Sequence, residues 1–307
     1  MTETKKCPSE ILKIYCFGHN AVNEFESNLH KNDLMPDRQQ LSIITLNTWK
    51  CDGDYRVRLR LIAEALAALK PDIILLQECF VAQAKDNDGG ANTAQYLAKV
   101  LNYDGYFQPA REKNREFDGK ETITHSGLAV LSRFSLAPIG AIQLPSDPAD
   151  GQRIAQFVSV KTKPKPVLVV NTHLSYLPDE HNLRTQEMQR IVTRIREDRD
   201  HDTIIMGGDF NAEPDSPMIQ WLAGLRNLKS IDMAAAVNKK PGATKLEKRG
   251  DDKGKALKRI DYLYLIPRRR RPGFEVVSSD VVLNTPDPLT GLYPSDHLGV
   301  RAVIQAL

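Results

Sequence analysis

Nowhere in this sequence does an apolar run approach the roughly 20 residues needed to span a bilayer. Its polar start, MTETKKCPSE, shows no charged-then-apolar secretion signal. A cytoplasmic protein without a transmembrane segment is therefore expected. Cysteine is scarce too. Cys7, Cys16, Cys51 and Cys79 are the whole complement, and none falls at paired metal-ligand spacing. Reduced thiols are expected rather than a disulfide framework. No convincing internal repeat or interior linker is found. The 307 residues, 41% of them hydrophobic, suffice for a large core, either as two domains or as one large α/β or sandwich fold.

Net charge is also low, +3, but it is spread unevenly, with 13 Lys or Arg against 4 Asp or Glu between Lys239 and Arg271. A charge run alone is more often a solvated loop than a surface for anionic polymers. Its part from 238 to 259 reads as a mobile insertion.

What the sequence has is a series of short apolar runs with polar residues at one end. Leu41–Leu46 leads to Asn47, Asp72–Leu76 to Gln77 and Glu78, Val167–Val170 to Asn171 and His173, and Thr203–Met206 to Asp209 and Asn211. Two later runs reverse the order: Asp261 precedes Tyr262–Ile266, and Asp296-His297 precedes Leu298–Ile304. These read as buried strands, and Gly127–Ser132 as another. If the first four end where the last two begin, Asn47, Glu78, His173, Asp209, Asn211, Asp261, Asp296 and His297 meet at one rim of a sheet scaffold. Any one of these residues could simply end its own strand; six runs of one pattern argue for a site.

Helices fit between the strands. Arg56–Leu69 carries an apolar stripe through Leu59, Ile62, Ala63 and Leu66, stops before Pro71, and suits a crossover between parallel strands. Leu183–Ile195 has similar spacing. Ser216-Pro217 reads as N-cap and first turn of a helix presenting Met218, Trp221, Leu222 and Leu225.

In order along the chain, TLNTW, LLQE, SGLAVLSR, NTHL, GGDFNAEPDSP, RIDYLYL and PSDHLGV resemble the endonuclease/exonuclease/phosphatase superfamily. Its members include pancreatic-type deoxyribonucleases, abasic-site endonucleases, deadenylases, neutral sphingomyelinases and inositol-polyphosphate phosphatases. The resemblance covers residues 41–307 and leaves 1–40 as an N-terminal extension. It implies an α/β fold in which a two-sheet β-sandwich is flanked by helices, four layers α/β/β/α.

The same resemblance implies roles. Glu78 is the principal metal ligand, with Asn47 beside it and Asp296 contributing directly or through water. Carboxylate and amide oxygens suit Mg²⁺ or Mn²⁺, which can neutralise a phosphate oxygen and a leaving oxygen. Asp209 would activate the attacking water and Asn211 hold that water or a phosphate oxygen. His173 and His297 would contact the scissile phosphate, with Asp261 orienting His297. His125 and Ser126 are further candidates for approaching substrate.

Nucleic acid leads as substrate. The basic stretch before Asp261 enters near the site mouth, and Trp49, Tyr55 or Tyr176 offers a stacking surface, although each can equally be packing. Arg268–Arg271 lie at the far end of that strand, roughly 20 Å away. A phospholipid head group or small phosphorylated metabolite is the second reading, and a noncatalytic scaffold the last, since none of the expected residues is missing.

Overall fold

The computed structural model describes residues 15–17, 39–82, 92–163, 165–178, 181–248, 253–268 and 273–307. Most of the N-terminal extension, including Cys7, and Arg269–Arg271 lie outside the described residues. Within the extension, β1 (Tyr15–Phe17) pairs along the edge of a sheet.

The chain then builds one crossover. β2 (Gln40–Asn47) is followed by α1 (Tyr55–Leu69), whose start is capped by Asp54 accepting from the Val57 N–H at 3.2 Å. Lys70 ends the helix in the left-handed region (φ 47°), and Pro71 follows. The helix covers one sheet face and delivers β3 (Ile73–Ala82) parallel to β2. α2 (Thr93–Leu101) leads to a long hairpin of β4 (Asp104–Phe117) and β5 (Lys120–Ser132), turned by Asp118-Gly119 with both φ values positive.

Next come β6 (Leu136–Gln143), β7 (Ile154–Val160) and β8 (Val167–His173). α3 (His181–Glu197) makes a second crossover to β9 (Thr203–Asp209), parallel to β8. Pro217 opens α4 (Pro217–Ala223), where the Ser216 hydroxyl makes no cap hydrogen bond and the helix stops short of Leu225. The remainder is β10 (Ile231–Asp232), α5 (Met233–Val237), the pair β11 (Lys245–Leu246) and β12 (Ala256–Lys258), β13 (Asp261–Pro267), β14 (Phe274–Val282) and β15 (Gly299–Ala306).

Besides the two-stranded β11-β12 sheet, two large sheets result among the described residues, ordered β1-β4-β5-β3-β2-β15-β14 and β10-β13-β9-β8-β7-β6. α1 and α2 pack on the outer face of the first and α3 and α4 on that of the second, with a third apolar cluster between the sheets. This is the expected helix-flanked, four-layer sandwich.

Not every polar strand end faces the rim. Alternation along the strand turns Gln77 and Asn171 inward instead, between the sheets. Gln77 Nε2 donates to Asn171 Oδ1 at 2.8 Å, and Asn171 Nδ2 donates to the Leu76 and Ala129 carbonyls at 2.9 and 3.0 Å. Buried amides need such partners, so they set how one sheet sits on the other. The basic stretch also differs from expectation. The Leu246 N–H donates to the Asp296 carbonyl at 3.0 Å and the Leu298 N–H to that of Thr244 at 2.7 Å, so its part around Thr244–Leu246 is anchored to the site, while residues 249–252 lie outside the described residues.

Glu187 of α3 is fully buried, and one carboxylate oxygen accepts from the Ser175 N–H at 3.0 Å, holding the loop after β8. Burial pushes its pKa up from 4.5 to about 7. An acid whose folded pKa is raised lends stability that is complete below its unfolded value and is lost as pH rises through its folded value. Urea denaturation should therefore show stability falling between about pH 4.5 and pH 7, and Glu187→Gln should flatten that fall. An identical pH profile in the variant would refute the assignment.

Candidate active site

Asp209 ends β9 with His173 of β8 on one side and Asp261 of β13 on the other, all three in register. The two glycines before it make this possible. A Cβ on Gly208, whose φ is +141°, would stand 1.9 Å from the Thr172 carbonyl oxygen, and one on Gly207 would stand 2.7 Å from that of Tyr262. Only glycine lets the flanking strands approach this closely.

The Asp209 carboxylate is the hub. Oδ2 accepts from Asn47 Nδ2 at 3.0 Å and lies 3.4 Å from His173 Nε2 and 3.6 Å from His297 Nε2; Oδ1 accepts from the Asn211 N–H at 2.9 Å. Asn211 is held in the left-handed region, φ 48°, by donating to the Leu174 carbonyl at 3.0 Å. His297 Nδ1 lies 3.0 Å from Asp261 Oδ2, and that oxygen also accepts from Thr244 Oγ1 at 2.6 Å. Asn47, His173, Asp209, Asn211, Asp261 and His297 thus form one contiguous cluster.

Burial and charge oppose each other here. For His297, burial alone would lower the pKa; attraction to Asp261 and Asp209 overcomes it and raises the value to about 9. His173 goes well down, first through burial and then through the cations Arg153 and Lys50. Burial lifts Asp209 to about 6 against the pull of His297. At neutral pH one imidazole is charged and the other neutral.

Glu78 reaches the cluster from the first sheet by an unexpected route. β3 does not end there: pairing with β5 slips between Leu76 and Cys79, and Glu78 adopts φ 55° before the strand resumes. Such a bulge re-aims one side chain without ending the sheet. Its carboxylate lies 3.1 Å from Lys50 Nζ and 4.0 Å from His173 Nδ1. Asp296 is bound by Lys245 at 2.6 Å and Lys248 at 2.7 Å; burial opposes its ionisation, but His297 and Lys245 hold its pKa down at about 2.

One compact cluster and two separate carboxylates bear on metal binding. Asp209, Asp261 and His297 present ligand atoms within 4.8 Å of one another. Asp261 there is already engaged by His297 and Thr244, whereas the carboxylates of Glu78 and Asp296 face lysine ammoniums, a donor chemistry that fits a hard cation.

The remaining candidates lie around the rim. Trp49, φ 57°, has Arg58 4.6 Å and Lys248 4.7 Å from its ring centre. His125 is 3.9 Å from Glu112, and Ser126 lines a pocket with Glu78 and His173. Tyr176, 54% exposed, lines a groove with Asn211 and Lys248, whereas Tyr55 is buried against Phe80 and Phe117 and is packing, not a stacking platform.

Other contributors escaped the sequence reading. Arg58, 2% exposed, donates to the carbonyls of Thr48, Trp49, Lys50, Asp52 and Pro294, fixing the loop after β2 against the Ser295–His297 segment. Lys50, Arg111, Arg153 and Thr244 also enter the site, and nothing in their local sequence sets them apart from surface residues.

The model of the Endonuclease/Exonuclease/phosphatase family matches residues 44–297. Among solved structures, a humanized D. rerio TDP2 carrying 14 mutations aligns at TM-score 0.64 and 18% identity, covering 86% of this chain and 98% of that one. D. rerio TDP2 complexed with single strand DNA product aligns at 0.62 and 18%, covering 86% and 98%. An endonuclease/exonuclease/phosphatase from Beutenbergia cavernae DSM 12333 aligns at 0.62 and 24%, covering 88% and 72%. At these identities the structures establish a shared fold. No curated protein sequence gives a significant match.

Two substitutions test the framework. Gly208→Ala should cost several kcal/mol by forcing β8 off β9, read as a lowered denaturation midpoint. Thr244→Val should cost roughly 1–3 kcal/mol, because the hydroxyl that serves Asp261 also accepts from the Ile260 and Asp261 N–H groups. Wild-type midpoints in both would contradict this account.

Proposed function

The chain belongs to the Endonuclease/Exonuclease/phosphatase family, and from that premise we propose that it hydrolyses phosphodiester bonds in DNA or RNA with Mg²⁺ or Mn²⁺. The observation that carries the proposal is the buried Asp209 carboxylate shared by Asn47, Asn211, His173 and His297. Residues 41–307 are taken as the catalytic unit, with 1–40 an extension that lends β1 to its sheet.

Asp209 acts as the base that orients water and accepts its proton; a carboxylate lifted toward neutrality by burial is better suited to that task. Asn211 and Asn47 fix the carboxylate so that one oxygen remains turned to the imidazoles. His297, kept protonated and held by Asp261, offers Nε2–H to a phosphoryl oxygen as negative charge grows there. His173, neutral, stands between Asp209 and Glu78 to bind the same phosphate. Glu78, Asn47 and Asp296 would hold the cation, which when bound supplies charge neutralisation at the phosphate.

Two features favour nucleic acid. The segment bearing Lys245 and Lys248 closes directly on Asp296, and with Lys258 and Tyr176 it borders a groove that runs past Asn211. D. rerio TDP2, of the same fold, was solved with single strand DNA product.

The test is hydrolysis of single- and double-stranded DNA, RNA, sphingomyelin and small phosphoesters with Mg²⁺, Mn²⁺ or chelator. Asp209→Asn and His297→Ala should each lower kcat by about 10²- to 10⁴-fold with folding retained. Glu78→Ala should weaken metal-supported turnover. Wild-type rates in all three variants would overturn the site, and turnover confined to lipid or small phosphoesters would overturn the substrate.

A further inference from the structure

Beside Glu78 the surface holds a row of cations to which the catalytic reading gives no contact with substrate. β4 is offset against β5 by a register slip between Pro109 and Arg111, beside Gly127, where a Cβ would stand 2.1 Å from the Gln108 carbonyl oxygen. Beyond the slip, Arg111, Lys113 and Arg115 alternate along the strand and so share one face. Ser126, Thr124 and Thr122 of β5 stand directly opposite them. Lys50, Arg111 and Ser126 line two adjoining pockets. One includes Glu78, His173 and Arg153; the other includes Lys113, Arg115 and His125. Sharing Lys50, Arg111 and Ser126, the two lie side by side and are treated as one trough that starts at the proposed catalytic residues.

The trough is built rather than incidental. Asp150, whose side chain is fully buried, accepts from both guanidiniums at its inner end: Arg153 Nε at 2.9 Å, Arg153 Nη2 at 2.5 Å and Arg111 Nη2 at 3.0 Å. Arg111 Nε also donates to the Gln152 carbonyl at 3.2 Å. Two arginines on one carboxylate leave a positive charge over. Along the whole trough five cations, Lys50, Arg111, Lys113, Arg115 and Arg153, meet four carboxylates, Glu78, Asp52, Asp150 and Glu112, the last 3.9 Å from His125. Residues two apart on a strand recur about every 6.6 Å, in single file, which offers contacts to one phosphate backbone and none to a second.

We propose that this trough binds the sugar-phosphate backbone of an extended single strand of nucleic acid beside its scissile phosphate, with Arg111 receiving the nearest neighbouring phosphate and Lys113 and Arg115 the next. The assignment rests on the nucleic-acid reading of the site and adds the path and strandedness of the substrate.

Binding separates this path from catalysis. A fluorescent single-stranded oligodeoxynucleotide is titrated with the full-length Asp209→Asn protein and followed by anisotropy over a range of salt concentrations. The same titration is repeated with Lys113→Ala/Arg115→Ala or Arg111→Gln added. Each phosphate contact removed should lower the slope of log K against log salt by roughly 0.7, so the double variant should lose about 1.4. Lys113 is exposed and Arg115 partly so, which keeps the test valid if Arg111→Gln fails to fold, as checked by circular dichroism. An unchanged slope and affinity in the double variant overturns the proposal, as does tighter binding of the matching duplex with the same losses. If the slopes fall as stated while the wild-type chain cleaves no nucleic acid, the trough stands and the hydrolytic reading fails.

Discussion

A single carboxylate oxygen ties the two sheets together at their common rim. Asp209 belongs to the second sheet, yet Asn47 at the tip of β2 and His297 just before β15 reach it from the first. The partners can meet only if the sheets are stacked with their strand ends aligned, and two features enforce that. The crossovers through α1 and α3 make β2 and β3, and β8 and β9, run in parallel, so that Asn47, His173 and Asp209 emerge at one end. Beneath them Gln77 and Asn171 bond across the gap, which disfavours sliding because a shift would strand buried amides.

The cost of taking Asp209, Asp261, His173 and His297 out of water is met unequally. Asp261 and His297 form a close opposite-charge pair completed by Thr244, and that pair leaves the proton on the imidazole despite burial. His173 faces Arg153, Lys50 and His297, and the same burial strips its proton. Chemically identical rings therefore carry different charges a few ångströms apart: at His297 the pull of Asp261 and Asp209 outweighs burial, while at His173 burial, reinforced by Arg153 and Lys50, wins although Asp209 and Glu78 lie close by.

Much of this was legible in the sequence. The rim residues show themselves because an apolar run that stops at Asp, Asn or His is a buried strand delivering polarity to its end, and order along the chain then selects the family. The inward course of Gln77 and Asn171 was not legible, since a buried amide and a rim amide look alike after a strand. Glu78 sits where its strand seemed to stop, and only the ladder to β5 reveals that pairing resumes beyond it. The segment REKNREFDGK, with Phe117 as its one large apolar residue, offers no apolar run to mark a strand. Which side Arg111, Lys113 and Arg115 take depends on the slip beside Gly127, which no composition or periodicity announces. Arg58 was hidden for the opposite reason, as a polar residue inside an otherwise apolar helix stripe.

The bulge at Glu78 carries a consequence for how the molecule can diverge. An acid mounted on a loop is displaced whenever that loop changes length. Here the acid stands on a continuous ladder, with β3 and β5 hydrogen-bonded on both sides of it, so the β4–β5 hairpin can lengthen, shorten or exchange its charged face while Glu78 keeps its place. The surface proposed to bind the substrate is thereby mechanically insulated from the group proposed to hold the cation, and each is free to vary without unseating the other.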